Sequence, residues 1–132
     1  MQSSHLLWNS SCNFGLVTSS TPALIQGIYY VVTGLWPLFS ISSFQKVTGP
    51  KTDLWLVKTI GALIFISGLA ILIAVTQPVS INTNPSILVL AIGEALVLML
   101  VDLIYVFRGR ISRVYLADAL AELAIIIAWI LP

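Results

Sequence analysis

Four long apolar runs restrict what this sequence can fold into. They cover residues 22–44, 54–76, 85–107 and 114–131, each about 18 to 23 residues long. At a rise of about 1.5 Å per residue, helices of that length match the roughly 30 Å hydrocarbon core of a bilayer. Backbone polar groups find no water in lipid, so such runs form helices. The sequence therefore predicts an all-α integral membrane protein, a four-helix bundle of antiparallel up-down topology.

Composition agrees with insertion into a membrane. Hydrophobic residues make up 58% of the chain and charged residues 8%, whereas about a quarter of the residues in a soluble domain are charged. We divide the chain into a polar N-terminal lead, residues 1–21, and a transmembrane domain, residues 22–132. The lead lacks the charged start of a signal peptide, so we expect a retained, partly disordered outer segment.

Prolines predict where two of the helices begin and where one bends. Pro22 and Pro85 stand at the start of the first and third runs, where the missing N–H group costs nothing. Pro37 lies inside the first run, and a proline there removes one helical hydrogen bond. We therefore expect a kink at this position in the first helix.

The basic residues predict how the helices are oriented in the membrane. All six Lys and Arg lie in or beside the loops at residues 45–53 and 108–113, whereas the loop at residues 77–84 and both termini have none. Loops rich in Lys and Arg stay on the cytoplasmic side. We therefore expect these two loops to face the cytoplasm of a bacterial inner membrane, and both termini to face the other side.

Several classes of protein are excluded by what the sequence lacks. A single cysteine, Cys12, rules out a dithiol mechanism within one chain. A single histidine, His5, rules out haem held by two histidines. There is no glycine-rich phosphate loop and no large basic surface for nucleic acid. We expect no nucleic-acid partner, metal, cofactor or catalytic residue, and enzymatic activity is the least supported class of function.

Four acidic residues inside the apolar runs are the candidates for chemistry. Glu94 and Asp102 share one face of the third helix, and Asp118 and Glu122, four positions apart, share one face of the fourth. These two faces can meet across the hairpin at residues 108–113. A charge at the centre of a helix in lipid costs roughly 2.5–3.5 kcal/mol on insertion scales, so such residues usually mark a binding or proton-handling site.

Partners for these acids can be predicted from their depth in the membrane. Lys58 lies about one turn into the second helix, where it could neutralise Asp102 or Asp118. Glu94 lies near the midplane, and we expect it to be protonated and hydrogen-bonded there. Three hydroxyl groups at similar depth are its candidate partners: those of Tyr30, Thr33 and Ser67.

The candidate ligand- or proton-binding site consists of six side chains: Glu94, Glu122, Asp102, Asp118, Lys58 and Tyr105. We expect the two glutamates to contact a ligand or its proton. The two aspartates and the lysine would hold the site, and the tyrosine would donate a hydrogen bond from its rim. Such a site, between the second, third and fourth helices, suits a cation, an amine or a neutral hydrogen-bonding lipid head group.

Three functions agree with this pattern of acids in a membrane bundle. The first is binding of a small or lipidic ligand at the acids. The second is an accessory subunit of a larger membrane complex, or a homo-oligomer, in which the acids fix the helix register. The third is proton- or cation-coupled transport along Asp118, Glu122 and Glu94, although few polar side chains continue that line through the outer half.

Small residues recur on single helix faces and predict close packing. Gly27 and Gly34 in the first helix are seven positions apart, and so are Gly61 and Gly68 in the second. The fourth helix has a comparable stripe of alanines: Ala117, Ala121, Ala124 and Ala128. Such stripes allow helices to approach closely and usually serve packing.

The run TGPKTDLWLVKT at residues 48–59 resembles one found in small bacterial four-helix membrane proteins of unassigned activity. In overall layout the chain is similar to the DoxX-like group. The resemblance covers the four helices in outline, and residues 48–59 and 108–118 in detail. It implies the four-helix membrane fold, and it carries no functional residue over to this chain.

Overall fold

The computed structural model describes residues 9–131, with side chains from residue 20 onward except at Asn82, and this part consists of helices joined by loops. His5 lies outside this part. Five α-helices follow one another: α1 (Asn9–Phe39), α2 (Ile41–Thr48), α3 (Leu54–Val75), α4 (Pro85–Phe107) and α5 (Tyr115–Ile130). A 3₁₀ turn, Ile81–Thr83, precedes α4. No strand occurs within the described residues, so the all-α prediction is confirmed.

Three of the described helices are long and apolar enough to cross a membrane. They are the segment Ser20–Phe39 of α1, all of α3 and all of α4, with 20, 22 and 23 residues. The last helix, α5, has 16 residues, which corresponds to about 24 Å at 1.5 Å per residue. The fourth predicted run therefore forms an apolar helix that is shorter than the other three.

The first predicted run differs from the helix that forms. We expected one helix over residues 22–44, beginning at Pro22 and bent at Pro37. Instead α1 begins at residue 9 and passes through both prolines, so the predicted polar lead is helical from that residue onward. Each proline removes one backbone hydrogen bond, and the remaining bonds hold the helix together. The chain leaves the helical conformation at Ser40, and α2 follows as a separate short helix.

Glycines bring α1 and α3 into close contact, as their spacing predicts. A Cβ atom on Gly34 would lie 2.5 Å from the carbonyl oxygen of Gly61. A Cβ atom on Gly68 would lie 2.9 Å from the carbonyl oxygen of Gly27. Only hydrogen atoms fit between backbones at this separation, so larger residues would push the helices apart. The pairing extends along both helices and makes α3 the main neighbour of α1.

Turn residues mark both ends of α4, which forms a hairpin with α5. The side-chain oxygen of Asn84 accepts hydrogen bonds from the N–H groups of Ser86 and Ile87 at 3.1 and 3.4 Å, which caps the start of α4. Pro85 therefore occupies the first helical position, as predicted. At the other end of α4, Gly109 has a φ of 66°, a left-handed conformation that suits glycine and ends the helix.

The core lies where α1 meets α3 and α4. Its buried side chains come from α1, α3, the 3₁₀ turn and α4: Ala23, Tyr30, Ile71, Ile81 and Ala91. Because α1 contacts α5 as well as α3, it lies between its glycine-paired neighbour and the α4–α5 hairpin. One side of α1 is thus used for close backbone packing, and another side is available to the hairpin.

The alanine stripe of α5 does not pack in the way that the glycine pairs do. Ala117 and Ala124 are exposed, and Ala121 and Ala128 are half-buried. The predicted packing face of this helix therefore points largely outward from the described part of the chain. The buried side chains of α5 belong to a different set of residues, which includes Ala119, Glu122 and Ile125.

Candidate functional site

One side of α1 presents three long polar side chains to α4 and α5. Gln26, Tyr29 and Tyr30 follow the i, i+3, i+4 spacing that puts residues on one face of a helix. Gln26 and Tyr30 are completely buried. Each of the three bonds a group on α4 or α5. Reasoning from charge overlooked Gln26 and Tyr29 and named Tyr30 only as a partner of Glu94, although the helical spacing of the three within an apolar run was a usable signal.

Two aspartates meet where α4 and α5 lie side by side. The carboxyl groups of Asp102 and Asp118 lie near enough for their charges to interact, so the two acidic faces meet across the hairpin. The hydroxyl group of Tyr29 donates to Oδ1 of Asp118. Asp102 has an exposed fraction of 6%, and its Oδ2 atom is buried without a hydrogen-bond partner. This pair is the most polar point in the interior of the hairpin.

Glu122 lies one helical turn from Asp118 on the same face of α5. Its side chain has an exposed fraction of 0%. The hydroxyl group of Tyr30 donates to Oε2 of Glu122 at 3.0 Å, whereas Oε1 is buried without a partner. Two consecutive tyrosines of α1, Tyr29 and Tyr30, therefore each hold one acid of α5.

Glu94 lies on α4, next to α3. The side chain of Ser67 of α3 lies beside its carboxyl group, and the Oε2 atom is buried without a hydrogen-bond partner. Of the three hydroxyl partners expected for Glu94, only Ser67 takes that position. Tyr30 bonds to Glu122 instead, and Thr33 donates to a carbonyl oxygen one turn earlier in its own helix, at 2.7 Å. Glu94 lies close enough to Glu122 for their charges to interact.

Tyr115 connects the acids to the loops that carry the basic residues, residues 49–53 and 108–114, which we call the basic end. The side chain of Tyr115 lies beside that of Thr48, and Nζ of Lys51 lies 4.9 Å from the centre of the Tyr115 ring. Burial lowers the pKa of Lys51. Tyr115 also lies near enough to the Asp102–Asp118 pair to interact with its charge.

A second group of hydrogen bonds lies at the opposite end of the acids. Nε2 of Gln26 donates to the carbonyl oxygen of Ala91 at 2.7 Å. Nε1 of Trp129 donates to Oε1 of Gln26, also at 2.7 Å. Because these bonds join α1, α4 and α5, the polar interior continues beyond the acids. We expected few polar side chains in that half of the bundle, and Gln26 extends the line there.

Two of the predicted site residues lie away from the acids. Lys58 is exposed on α3, and it does not neutralise Asp102 or Asp118 as we expected. The reason is that α3 packs on α1, whereas the two aspartates lie between α4 and α5. Tyr105 lies three positions past Asp102 on α4, but its side chain has an exposed fraction of 43% and is not enclosed with the acids. The phenols beside the acids come from α1 and α5.

We call Glu94, Asp102, Asp118 and Glu122 the acidic cluster. Within the described residues, no Lys or Arg lies near enough to offset the charge of the three that are buried deepest. The same residues contain no group of three or more His, Cys, Asp or Glu arranged to hold a metal. Burying an ionised carboxylate without a cation costs on the order of several kcal/mol. The cluster can therefore hold protons, attract a cation or accept hydrogen bonds from a ligand.

A cavity of about 190 Å³ lies elsewhere in the molecule. It is lined by Ser20 and by residues 74–75 and 77–81, at the end of α3 and the loop that follows. None of the four acids lines it. The cavity is therefore separate from the acidic cluster, and it offers no charged side chain to a ligand.

No protein-family model, curated protein or solved structure matches the chain. The chemistry of the acidic cluster therefore has to be argued from its own residues and their contacts.

Proposed function

We propose that this chain is a multi-pass membrane protein that binds a small or lipidic ligand at the acidic cluster. Three helices suited to crossing a membrane support the membrane location. The ligand would lie against α1, α4 and α5, because those helices supply the acids and the phenols that hold them. The protein would act as a binding protein without chemistry of its own.

One observation carries this proposal: three carboxyl oxygens in the cluster are buried and have no hydrogen-bond partner. They are Oε2 of Glu94, Oδ2 of Asp102 and Oε1 of Glu122. A buried polar atom without a partner costs about 1–3 kcal/mol, so native proteins rarely leave three of them together. A ligand that donates hydrogen bonds would remove this cost.

The chemistry of the cluster favours a positively charged or hydrogen-bond-donating ligand. Carboxylates are acceptors only, and the hydroxyl groups of Tyr29 and Tyr30 already donate to Asp118 and Glu122. What the cluster lacks is further donors and positive charge. A cation, an amine or a lipid head group with hydroxyl or amide N–H groups would supply one or both.

We also propose a four-helix antiparallel arrangement with the basic end in the cytoplasm of a bacterial inner membrane and both termini on the other side. The six basic residues and their absence from the loop at residues 77–84 support this orientation. In this arrangement α5 would be the fourth span, tilted little because of its 16 residues. The likeness to DoxX-like proteins stays a prediction.

The direct test is native mass spectrometry of the protein extracted gently from its own membrane. We expect a small molecule or lipid bound to the wild-type protein and lost from Glu122→Gln, which keeps the shape of the side chain and removes its charge. Glu94→Gln should weaken retention as well. Asp53→Asn, which changes an exposed acid in a loop, serves as the control and should retain the bound molecule.

Two results would contradict the proposal. Retention of the molecule by a folded Glu122→Gln variant would show that the acid does not bind it. A stoichiometric membrane-protein partner without any small molecule would indicate the second function, an accessory subunit. In that case the acids would serve as interface or register groups.

Transport coupled to protons or cations, the third of the predicted functions, is favoured by the polar line that continues from the acids to Gln26 and Trp129. Proton flux into proteoliposomes, followed with a pH-sensitive dye, tests it. We expect Glu94→Gln to reduce such a flux, because Glu94 lies between the Asp102–Asp118 pair and the far end of α4. Flux equal to that of the wild type would rule this candidate out.

A further inference from the structure

The two loops of the basic end lie against each other, although they come from opposite halves of the chain. A Cβ atom on Gly49 would lie 3.9 Å from the Cβ atom of Ser112. Nζ of Lys51 lies 4.9 Å from the centre of the Tyr115 ring. The first residue of each pair belongs to the loop after α2, and the second belongs to the start of α5 or the loop before it. The fold therefore joins two separate basic loops into one surface.

Positive charge dominates this surface. Residues 45–58 and 108–116 contain all six Lys and Arg of the chain and a single acid, Asp53. Five of the six cations are exposed, and we call these five the basic surface: Lys46, Lys58, Arg108, Arg110 and Arg113. The sixth, Lys51, is half-buried against the ring of Tyr115. Cations gathered in this way repel one another and attract anions, so the surface is suited to an anionic partner.

Helix α2 holds one of these cations beside the end of α1. The chain leaves the helical conformation at Ser40, so α2 does not continue α1. Nε1 of Trp36 donates to Oγ of Ser43 at 2.8 Å, and the rings of Trp36 and Phe44 meet edge to face with their centres 5.7 Å apart. These two contacts fasten α2 to the last turn of α1. Lys46, on the exposed side of α2, is therefore held next to a helix end.

Exposed aromatic rings lie at the helix ends that adjoin the basic loops. Phe39 ends α1, Trp55 lies in the first turn of α3, and Phe107 ends α4. Their exposed fractions are 85%, 70% and 81%. Aromatic rings in such positions of membrane proteins lie at the level of the lipid head groups. A soluble anion would contact the cations alone, whereas a lipid contacts both the cations and the rings. The rings therefore favour a lipid as the partner.

We propose that the basic surface binds anionic phospholipids. Their acidic head groups would lie against the Lys and Arg side chains, and their acyl chains against the rings of Phe39, Trp55 and Phe107. Basic clusters next to a membrane span attract anionic lipids in this way, and the guanidinium group of arginine can bond a phosphate through two N–H groups. This inference goes beyond the ligand proposal, since the acidic cluster and the basic surface attract ligands of opposite charge.

Native mass spectrometry of the delipidated protein, titrated separately with phosphatidylglycerol and phosphatidylcholine, tests the proposal. We expect the anionic phosphatidylglycerol to bind more tightly than the zwitterionic phosphatidylcholine. In the double variant Arg110→Gln with Arg113→Gln, the affinity for phosphatidylglycerol should fall by about twentyfold, because each basic residue near the lipid contributes about fivefold. The affinity for phosphatidylcholine should stay unchanged.

Two further variants keep the size of the side chains and control the charge. Arg110→Lys with Arg113→Lys retains both positive charges and should retain the preference for phosphatidylglycerol. Asp53→Asn removes the one acid among the basic residues and should strengthen the binding of phosphatidylglycerol. Equal wild-type affinities for the two lipids would overturn the proposal, and so would an unchanged affinity for phosphatidylglycerol in the double glutamine variant.

The acidic cluster is separated from the basic surface by Glu122→Gln. This variant should bind phosphatidylglycerol as the wild type does, because Glu122 is fully buried among the acids. Loss of phosphatidylglycerol from Glu122→Gln would place the lipid at the acidic cluster and overturn the present proposal. A co-purified molecule that is lost from Glu122→Gln and kept by the double glutamine variant is the ligand of the acidic cluster. The two proposals therefore fail separately.

The wild-type protein alone provides a test that does not depend on the folding of a variant. Salt screens exposed charges, so the preference for phosphatidylglycerol should shrink as the concentration of ammonium acetate rises. A preference that is unaffected by salt would overturn the proposal. Stronger competition by inorganic phosphate than by chloride at equal ionic strength would show that the surface binds a soluble phosphate. An acidic protein that is extracted with the wild type and lost from the double glutamine variant would show that the surface binds a protein. Either result would overturn the assignment to lipid.

Discussion

At the scale of single residues, the Tyr30 hydroxyl group is the group whose removal should cost most. It donates to Oε2 of Glu122 at 3.0 Å in a fully buried position, and the other oxygen of Glu122 already lacks a partner. Tyr30→Phe would leave both oxygens unsatisfied. We expect a loss of about 1–3 kcal/mol in the free energy of unfolding, measured by reversible unfolding in mixed detergent micelles.

The matched control for this measurement is Tyr105→Phe. The chemical change is the same, but Tyr105 is 43% exposed and its hydroxyl group does not hold a buried acid. We expect its effect to stay within about 0.5 kcal/mol, as for surface substitutions in general. Equal losses in the two variants would show that the hydroxyl group of Tyr30 is not what stabilises Glu122.

Residues that carry charge could be found from the sequence, and uncharged partners could not. The meeting of Asp102 and Asp118 follows from the spacing of acids on two helices joined by a short loop. Tyr29 escaped notice and Tyr30 was assigned to Glu94 instead of Glu122, because a phenol in an apolar run is compatible with packing, lipid contact or hydrogen bonding. Lys58 was misplaced for a related reason. Its depth in the membrane can be read from the sequence, but the direction in which α3 faces depends on which helix it packs against.

At the scale of the helices, the close approach of α1 and α3 makes a sharp prediction. A Cβ atom on Gly34 would meet backbone atoms of Gly61 and Phe65 at 2.5 Å, and backbone cannot rotate out of the way. Gly34→Ala should therefore force the helices apart and reduce the free energy of unfolding by about 1–3 kcal/mol. Unfolding in mixed micelles, compared with the wild type, measures this loss.

Gly93→Ala is the control for the same chemical change. Gly93 lies within α4, and a Cβ atom there would have no neighbour within 4 Å. Since alanine favours a helix over glycine by up to about 1 kcal/mol, we expect this variant to be neutral or slightly more stable. If Gly34→Ala were as stable as Gly93→Ala, close backbone packing would not be what joins α1 to α3.

Helix ends were predictable where a turn residue marks them. The third run, residues 85–107, coincides with α4, and the second run, residues 54–76, ends one residue beyond α3. Asn84 and Pro85 mark the start of α4, and a proline-containing turn precedes α3. The first run differs from α1 at both ends: Pro22 was taken as the start, although a long helix can accommodate a proline, and the helix ends at Phe39 instead of residue 44.

At the scale of the whole molecule, the proposed orientation can be measured by cysteine labelling. In a Cys12→Ser background, Arg110→Cys places a thiol at the basic end and Gln77→Cys places one in the uncharged loop. We expect a membrane-impermeant reagent to label Gln77→Cys in intact cells and Arg110→Cys only after permeabilisation, because basic loops are retained in the cytoplasm. The reverse pattern, or labelling of both loops from one side, would contradict the orientation.

The pairing of helices could not be predicted from the sequence. Hydropathy gives the runs and their lengths, and charge gives their proposed orientation, but neither says which helix lies beside which. The association of α1 with α3 depends on shape, through glycines such as Gly34 and Gly61, and the contact of α1 with α5 depends on hydrogen bonds such as that of Tyr30. Small-residue stripes are equally compatible with several neighbours, as the exposed alanines of α5 illustrate.

The polar side of α1 has a consequence for how the protein is made. The chain is synthesised from its N-terminus, so α1 and α3 can associate through their glycines while α5 is still inside the ribosome. Until α5 arrives, Tyr29 and Tyr30 lack the acids to which they donate, and Gln26 has only its partner on α4. The two acids of α5 are in turn poorly suited to enter a membrane unaided. Completion of α5 thus supplies hydrogen-bond partners to the polar side chains of α1. A nascent chain arrested before Tyr115 would expose these side chains, which membrane quality control could recognise.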